Sequence, residues 1–209
     1  VAPVTLSETP GRGGLHALMR QADRAIEWAR DDTETVLRKI RCADGFPGVR
    51  DPIAGREVFL YDAHPAHGFD GAPGELIARR DGAVCRATVD GAVWIGRMRE
   101  RRGDLPGLKL PAVQVLGETA AGLPEAPEDC GYREIAYEER DGVGFLRFDF
   151  HNGAMNTSQC RRLLAAWERA LARKTRVLAL VGGGDFWSNG LHLHAIEAAE
   201  NPADESWAN

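Results

Sequence analysis

Apolar residues recur at helical spacing near the start of the chain. Leu15, Leu18, Met19, Ala22, Ile26 and Ala29 fall three or four apart and predict an amphipathic helix within an N-terminal linker, residues 1–32. Asp31 followed by Glu34 suits a capping box for a second helix carrying Val36, Leu37 and Ile40, ended by Gly45-Phe46-Pro47-Gly48. The hydrophobic period then changes. Residues 57–61, 75–79, 83–90, 92–98 and 109–116 predict short strands. Asp81-Gly82 and Asp90-Gly91 lie between strands, and such dipeptides favour tight hairpins because glycine accepts positive φ. The pattern predicts a small OB-like antiparallel β-barrel over 33–116.

Residues 117–131 hold Gly117, Gly122, Pro124, Pro127 and Gly131 among acidic residues and read as a linker. Strands follow at 132–139 and 143–150, joined at Asp141-Gly142. Asn156 or Thr157 caps a long helix carrying Cys160, Leu163, Leu164, Trp167 and Leu171. A strand at 176–181 and a helix from Leu193 complete the pattern. This order opens an α/β domain over 132–209, so the expected class is α+β followed by α/β.

Composition narrows the function classes. The 209 residues are 44% hydrophobic and 27% charged, which excludes wholesale disorder. No apolar run approaches the ~20 residues of a membrane-spanning helix, so no membrane partner is expected. The net charge of −5 lacks the electrostatic footprint of a nucleic-acid binder. Arg97, Arg99, Arg101 and Arg102 form the one basic cluster and, interrupted by Glu100, read as a solvated loop. Cys42, Cys85, Cys130 and Cys160 are scattered, as in reduced cytoplasmic proteins. The ends, Val1 and Asn209, read as cuts in a longer chain.

Gly182-Gly183-Gly184 after the 176–181 strand is the strongest local signal. A dinucleotide fingerprint would need a third glycine where Trp187 stands, and a P-loop would need Gly-Lys-Ser/Thr. Two readings stay open. One is a backbone anion hole using the N–H of Leu191 after Gly190; the other is a plain strand-to-helix turn. His192 and His194 lack nearby carboxylate or cysteine partners, so no metal site is assigned and a polar loop histidine beside a surface histidine is the simpler reading. His64 and His67, in a Pro/Gly-rich stretch, read as solvated. Trp94, alternating with apolar residues, reads as barrel core.

Ile26-Glu27-Trp28, the stretch Val36 to Arg41, Pro47-Gly48, Pro73-Gly74-Glu75-Leu76-Ile77 and Leu108-Lys109-Leu110-Pro111-Ala112 resemble the C-terminal domain of formyltetrahydrofolate-dependent formyltransferases. That resemblance covers about 26–116. It implies an OB-like barrel whose catalytic Asn, His and Asp lie on a preceding domain. From about 132 the chain resembles the crotonase (enoyl-CoA hydratase/isomerase) family, through Asn152-Gly153-Ala154-Met155-Asn156 and Trp187-Ser188-Asn189-Gly190-Leu191-His192-Leu193. It implies the N–H of Leu191 as an oxyanion donor and Trp187, Ser188, Asn189, Gly190 and His192 as a CoA-binding loop. Asn189 stands for the family's usual Ala and His192 for its usual Asp.

The pairing of the two, with Gly14–Asp23 and Asp90–Gly96, resembles the HoxX family of hydrogenase maturation factors. The resemblance implies transfer of formyl from formyltetrahydrofolate to coenzyme A, then decarbonylation of formyl-CoA to supply CO to the [NiFe]-hydrogenase iron. Implied partners are the maturation machinery or the hydrogenase large subunit, and a CoA thioester. Formyltetrahydrofolate and coenzyme A are expected for the whole protein, with none assigned firmly to this segment, which alone is expected to be inactive. The alternatives are an acyl-CoA hydratase or isomerase fused to a folate domain, and a non-catalytic binding module.

Overall fold

The computed structural model describes residues 16–103 and 105–208. The first lobe starts with helix α1 (Thr33–Cys42), whose N-terminus is capped by Asp32, its carboxylate accepting the Thr35 N–H at 2.8 Å. Val36, Leu37 and Ile40 turn inward from α1. They meet a six-stranded antiparallel sheet of β1 (Val49–Ile53), β2 (Arg56–Pro65), β3 (Leu76–Arg80), β4 (Ala83–Ala87), β5 (Ala92–Arg102) and β6 (Leu105–Pro111). The long β5 organises the sheet. One edge pairs with β2; the other pairs first with β4, over Ala92–Ile95, and then with β6 from Arg97. This branching is that of the expected OB-like antiparallel architecture. Val58, Leu60, Trp94, Ile95 and Met98 are fully buried, so Trp94 is core as its alternation indicated.

Several sequence expectations change. Residues 16–30 form no α-helix; one 3-10 turn, Gln21–Arg24, interrupts them, and Leu18 and Met19 are exposed. Leu15 lies outside the described residues. The segment crosses the barrel as a strap. Ile26 packs on the core, and Trp28 stacks 3.9 Å from the Arg86 guanidinium and donates Nε1–H to Asp51 at 2.9 Å. An apolar partner at a spacing of two outcompetes the helical period. Strand β1, with Pro52 inside it, was not expected; it is an edge strand, where a missing N–H is tolerated. Residues 112–116 are helix α2 (Ala112–Leu116), not strand, because Ala112, Val115 and Leu116 bury one helical face. The basic cluster is not a loop: Arg97, Arg99, Arg101 and Arg102 lie on β5, and Arg97 is 1% exposed.

The 117–131 stretch starts with α3 (Glu118–Ala121) and then clasps the barrel. The N–H groups of Arg79 and Ala126 donate to Pro124 O and Arg79 O, each at 2.9 Å, and the Trp94 indole donates to Cys130 O at 2.9 Å. In the second lobe, β7 (Ile135–Arg140) and β8 (Val143–Phe148) form an antiparallel hairpin turned by Asp141 and Gly142, both at positive φ. A 3-10 turn, His151–Gly153, leads to β9 (Ala154–Met155) and α4 (Thr157–Leu171), capped by a reciprocal Asn156–Gln159 box. Strand β10 (Val177–Val181) pairs in parallel with β8, which completes a β-α-β unit. Strand β11 (Gly190–Leu191), α5 (Leu193–Ala198) and α6 (Pro202–Ala208) follow.

The lobes share a buried ionic network. Arg97 of β5 lies 3.3 Å from Glu134, which also pairs with Arg162 of α4; Arg162 reaches Asp81 at 2.7 Å and Gln159 donates to Glu134 at 2.8 Å. Burial pushes the Glu134 carboxyl up against the pull of Arg97 and Arg162. The Arg97 and Glu134 side chains are both under 5% exposed.

Candidate functional site

The glycine-rich turn is shaped by close contacts. A Cβ on Gly182 would meet the Trp187 backbone at 2.5 Å, and one on Gly183 would meet Asp149 at 2.2 Å. The following loop is zipped to the turn before α4. Gly153, at φ +65, lies against Phe186, where a Cβ would approach to 2.5 Å. Asn189 N–H donates to Gly153 O at 2.7 Å and His192 N–H to Met155 O at 2.8 Å, on either side of the parallel β9–β11 pairing. Gly190 takes φ +80, which favours glycine, and its N–H meets Ser188 Oγ at 3.3 Å. Trp187 is exposed, with its ring edge-on to Phe148 at 5.5 Å. Asn189 and Leu191 are both exposed. The residues from Trp187 to His192 thus form one pinned loop, with its middle open to solvent.

His192 caps α5: its Nδ1 accepts the Ala195 N–H at 3.1 Å. That role needs the neutral ring. Burial, helped by the Arg97 charge, pushes the His192 pKa down to about 4. His194 points to the first lobe, its Nδ1 lying 3.3 Å from the Lys109 N and 3.4 Å from the Lys109 O. The two rings are 6.3 Å apart and serve different contacts. Among the described residues, no group of three or more His, Cys, Asp or Glu could hold a metal. No described helix is long and apolar enough to cross a membrane.

A cleft of about 590 Å³ lies between the lobes, lined by Asp44, Asp62 and His64 on one side and by Tyr132, Asp149 and His151 on the other. Arg133 and Arg147 also line it. His64 is not a solvated loop residue. It lies on β2, half-buried, with Nε2 2.6 Å from Asp62 Oδ1. Asp62 has φ +58, and its N–H is held by Asp44 Oδ1 at 2.7 Å. It stands opposite Gly96, between the Tyr61–Arg97 and Ala63–Ile95 pairs. A Cβ at Gly96 would come within 2.0 Å of Asp62 Oδ2, so glycine there makes room for the carboxylate. Sequence reasoning missed this pair. The available signal was an acid and a histidine two apart on one strand, opposite a glycine.

Comparison with known proteins gives a family model for the first lobe and relatives that span both. Residues 18–106 match the family model of the formyl transferase C-terminal domain. The chain is 56% identical over 208 residues to the hydrogenase maturation factor HoxX of Bradyrhizobium diazoefficiens, covering all of this chain and 36% of that protein. A crystal structure of a HypX variant from Aquifex aeolicus superposes with a TM-score of 0.87 at 48% identity, over 92% of this chain and 36% of that one. HypX in complex with tetrahydrofolic acid gives the same TM-score and identity, over 91% of this chain and 35% of that one. The chain therefore spans about a third of the length of these relatives.

Proposed function

We propose that this chain is a portion of a hydrogenase maturation enzyme that moves a formyl group from formyltetrahydrofolate to coenzyme A and decarbonylates formyl-CoA. The proposal extends to the partners, the maturation machinery or the hydrogenase large subunit, and to a cytoplasmic setting. The likeness to HoxX along the whole chain and the tetrahydrofolate complex of HypX support this reading.

The observation that carries it is the pinned loop. Gly190 turns the chain at φ +80, and the N–H groups of Asn189, Gly190 and His192 are committed to Gly153, Ser188 and Met155. Leu191 is the loop's candidate oxyanion donor. The open stretch at Asn189–Leu191 suits a thioester carbonyl, and Trp187, backed by Phe148, suits a wall that keeps water from a small formyl group. Coenzyme A supplies the thiol that carries the formyl group. As the formyl group is attacked or expelled, charge grows on its oxygen, and a fixed N–H stabilises it without reorganising. No residue of this chain is assigned to the folate.

In the complete protein, Leu191→Pro removes the donor and Leu191→Ala keeps it. Turnover of formyl-CoA is expected to fall ~10²–10³-fold in the first and to stay near the parent in the second. Equal activity of the two folded variants removes Leu191 from the mechanism. The isolated 209-residue chain, given formyltetrahydrofolate and CoA, is expected to make neither formyl-CoA nor CO.

A further inference from the structure

We propose that Asp62 and His64 form a proton-accepting site for a thiol ligand in the cleft between the lobes. The pair is built at a cost. Asp62 holds a left-handed backbone conformation that a non-glycine residue adopts rarely, kept there by the Asp44 carboxylate on its N–H. Gly96 on the neighbouring strand gives up a side chain so that the Asp62 carboxylate can fit. Strain and close approach together bring one carboxylate to one imidazole at 2.6 Å, with His64 opening onto the cleft. The Tyr132 ring, 5.1 Å away and edge-on, braces the imidazole.

The chemistry of the pair selects the ligand. An ionised Asp62 accepts from Nε2–H, which leaves Nδ1 as the acceptor, and no hydrogen bond among the described residues occupies it. Burial alone would lower the His64 pKa, but the Asp62 hydrogen bond and charge outweigh it and hold the ring above its ordinary value. Burial likewise works against the ionised Asp62, yet the His64 bond and charge keep its carboxyl below the usual range. Arg41 opposes protonation of His64 and Asp149 favours it. Such a pair accepts a hydrogen bond from a weakly acidic group and favours its ionised form, and a thiol, with its ordinary pKa of about 8.5, answers to this where an alcohol does not. The S–H bond breaks, the proton moves to Nδ1, and the electron pair stays on sulfur as thiolate, facing an imidazolium that Asp62 steadies. Arg133 and Arg147 in the same cleft suit a phosphorylated thiol.

That the thiol is coenzyme A rests on the formyl-transfer reading above. The test uses the complete protein with CoA, and reads the dissociation constant and the pH at which bound CoA shows thiolate ultraviolet absorbance. Bound CoA is expected to ionise at lower pH than free CoA. His64→Gln, at a half-exposed position, is expected to return ionisation toward that of free CoA, with roughly tenfold less thiolate at neutral pH for each unit of that shift. Its dissociation constant for CoA is expected to rise with that loss of thiolate, while its dissociation constant for desulfo-CoA stays within about twofold of the parent. Asp62→Asn is expected to shift ionisation in the same direction while leaving His64 in place. An unchanged thiolate titration in folded His64→Gln overturns the proton-accepting site and leaves the formyl-transfer reading standing. No binding of CoA to the parent protein overturns both.

Discussion

The first lobe buries Val36, Ile40, Val58, Leu60, Ile95 and Met98 completely, whereas the second presents Leu164, Leu171, Val177 and Leu180 to solvent. The barrel encloses its core between α1, α2 and a branched sheet. The second lobe has a three-stranded sheet with β10 at its edge and α4 packed on β7 and β8. Many of its ties to the barrel are polar, Arg97, Glu134, Arg162 and Asp81 in the network and His194 against Lys109, beside the apolar contacts of Tyr132 with Trp94 and of Ala198 with the barrel core. Apolar burial holds the barrel; paired charge carries much of what seats the second lobe. The Asp62–His64 pair depends on that placement, because the cleft it opens onto has a wall from each lobe.

The largest expected effect comes from breaking the ionic tie. Glu134→Ala leaves Arg97 and Arg162 facing each other without their shared carboxylate, a change expected to cost about 3–5 kcal/mol. Hydrogen exchange should quicken first in β7 and β8. Unchanged protection there would mean that the lobes are held together by something else. Leu60→Ala, in the barrel core, is expected to cost about 3 kcal/mol in urea unfolding, with lost protection concentrated in β1, β2 and β5. Equal loss in β10 would dissolve the distinction between the lobes.

Acid sharpens the comparison further. His192 has its folded pKa lowered to about 4, below the unfolded value near 6.5, so between these values the unfolded chain binds the extra proton. Stability therefore rises with pH across that window and falls as pH drops through it. The slope owed to His192 approaches about 1.4 kcal/mol per pH unit, and His192→Asn, which can still cap α5, should remove it. An identical pH profile for the variant would show that His192 is protonated without penalty. The smallest effects are at the helix caps. Asp32→Ala on α1 and Asn156→Ala on α4 should each cost about 1 kcal/mol. Thermal melts followed by exchange should place the first loss in the barrel and the second in the other lobe.

Local chemistry made much of the fold legible. Asp81-Gly82 and Asp141-Gly142 sit at the hairpin turns because both positions take positive φ, and Asn156 with Gln159 marks the start of α4 by a bond pattern within four residues. The loop from Trp187 to His192 could be singled out for the same reason, since its glycines and the helix after it are neighbours in the chain. Distance in sequence hid the rest. Ile26 fits a helix by spacing, but the segment runs as a strap in which Trp28 opens a turn and reaches Asp51 and Arg86 on the barrel. Arg97 reads as a surface charge until Glu134, thirty-seven residues on, buries it.

The sequence by itself determined the hairpin turns, the start of α4 and the family resemblances of both lobes, because these depend on residues a few positions apart. Only the tertiary structure decided that 16–30 is a strap, that 117–131 clasps the barrel, that Asp62 and His64 face a cleft, and that His192 is buried. Each of those depends on a partner brought in from another part of the chain, and hydrophobic period and local propensity carry no information about such partners.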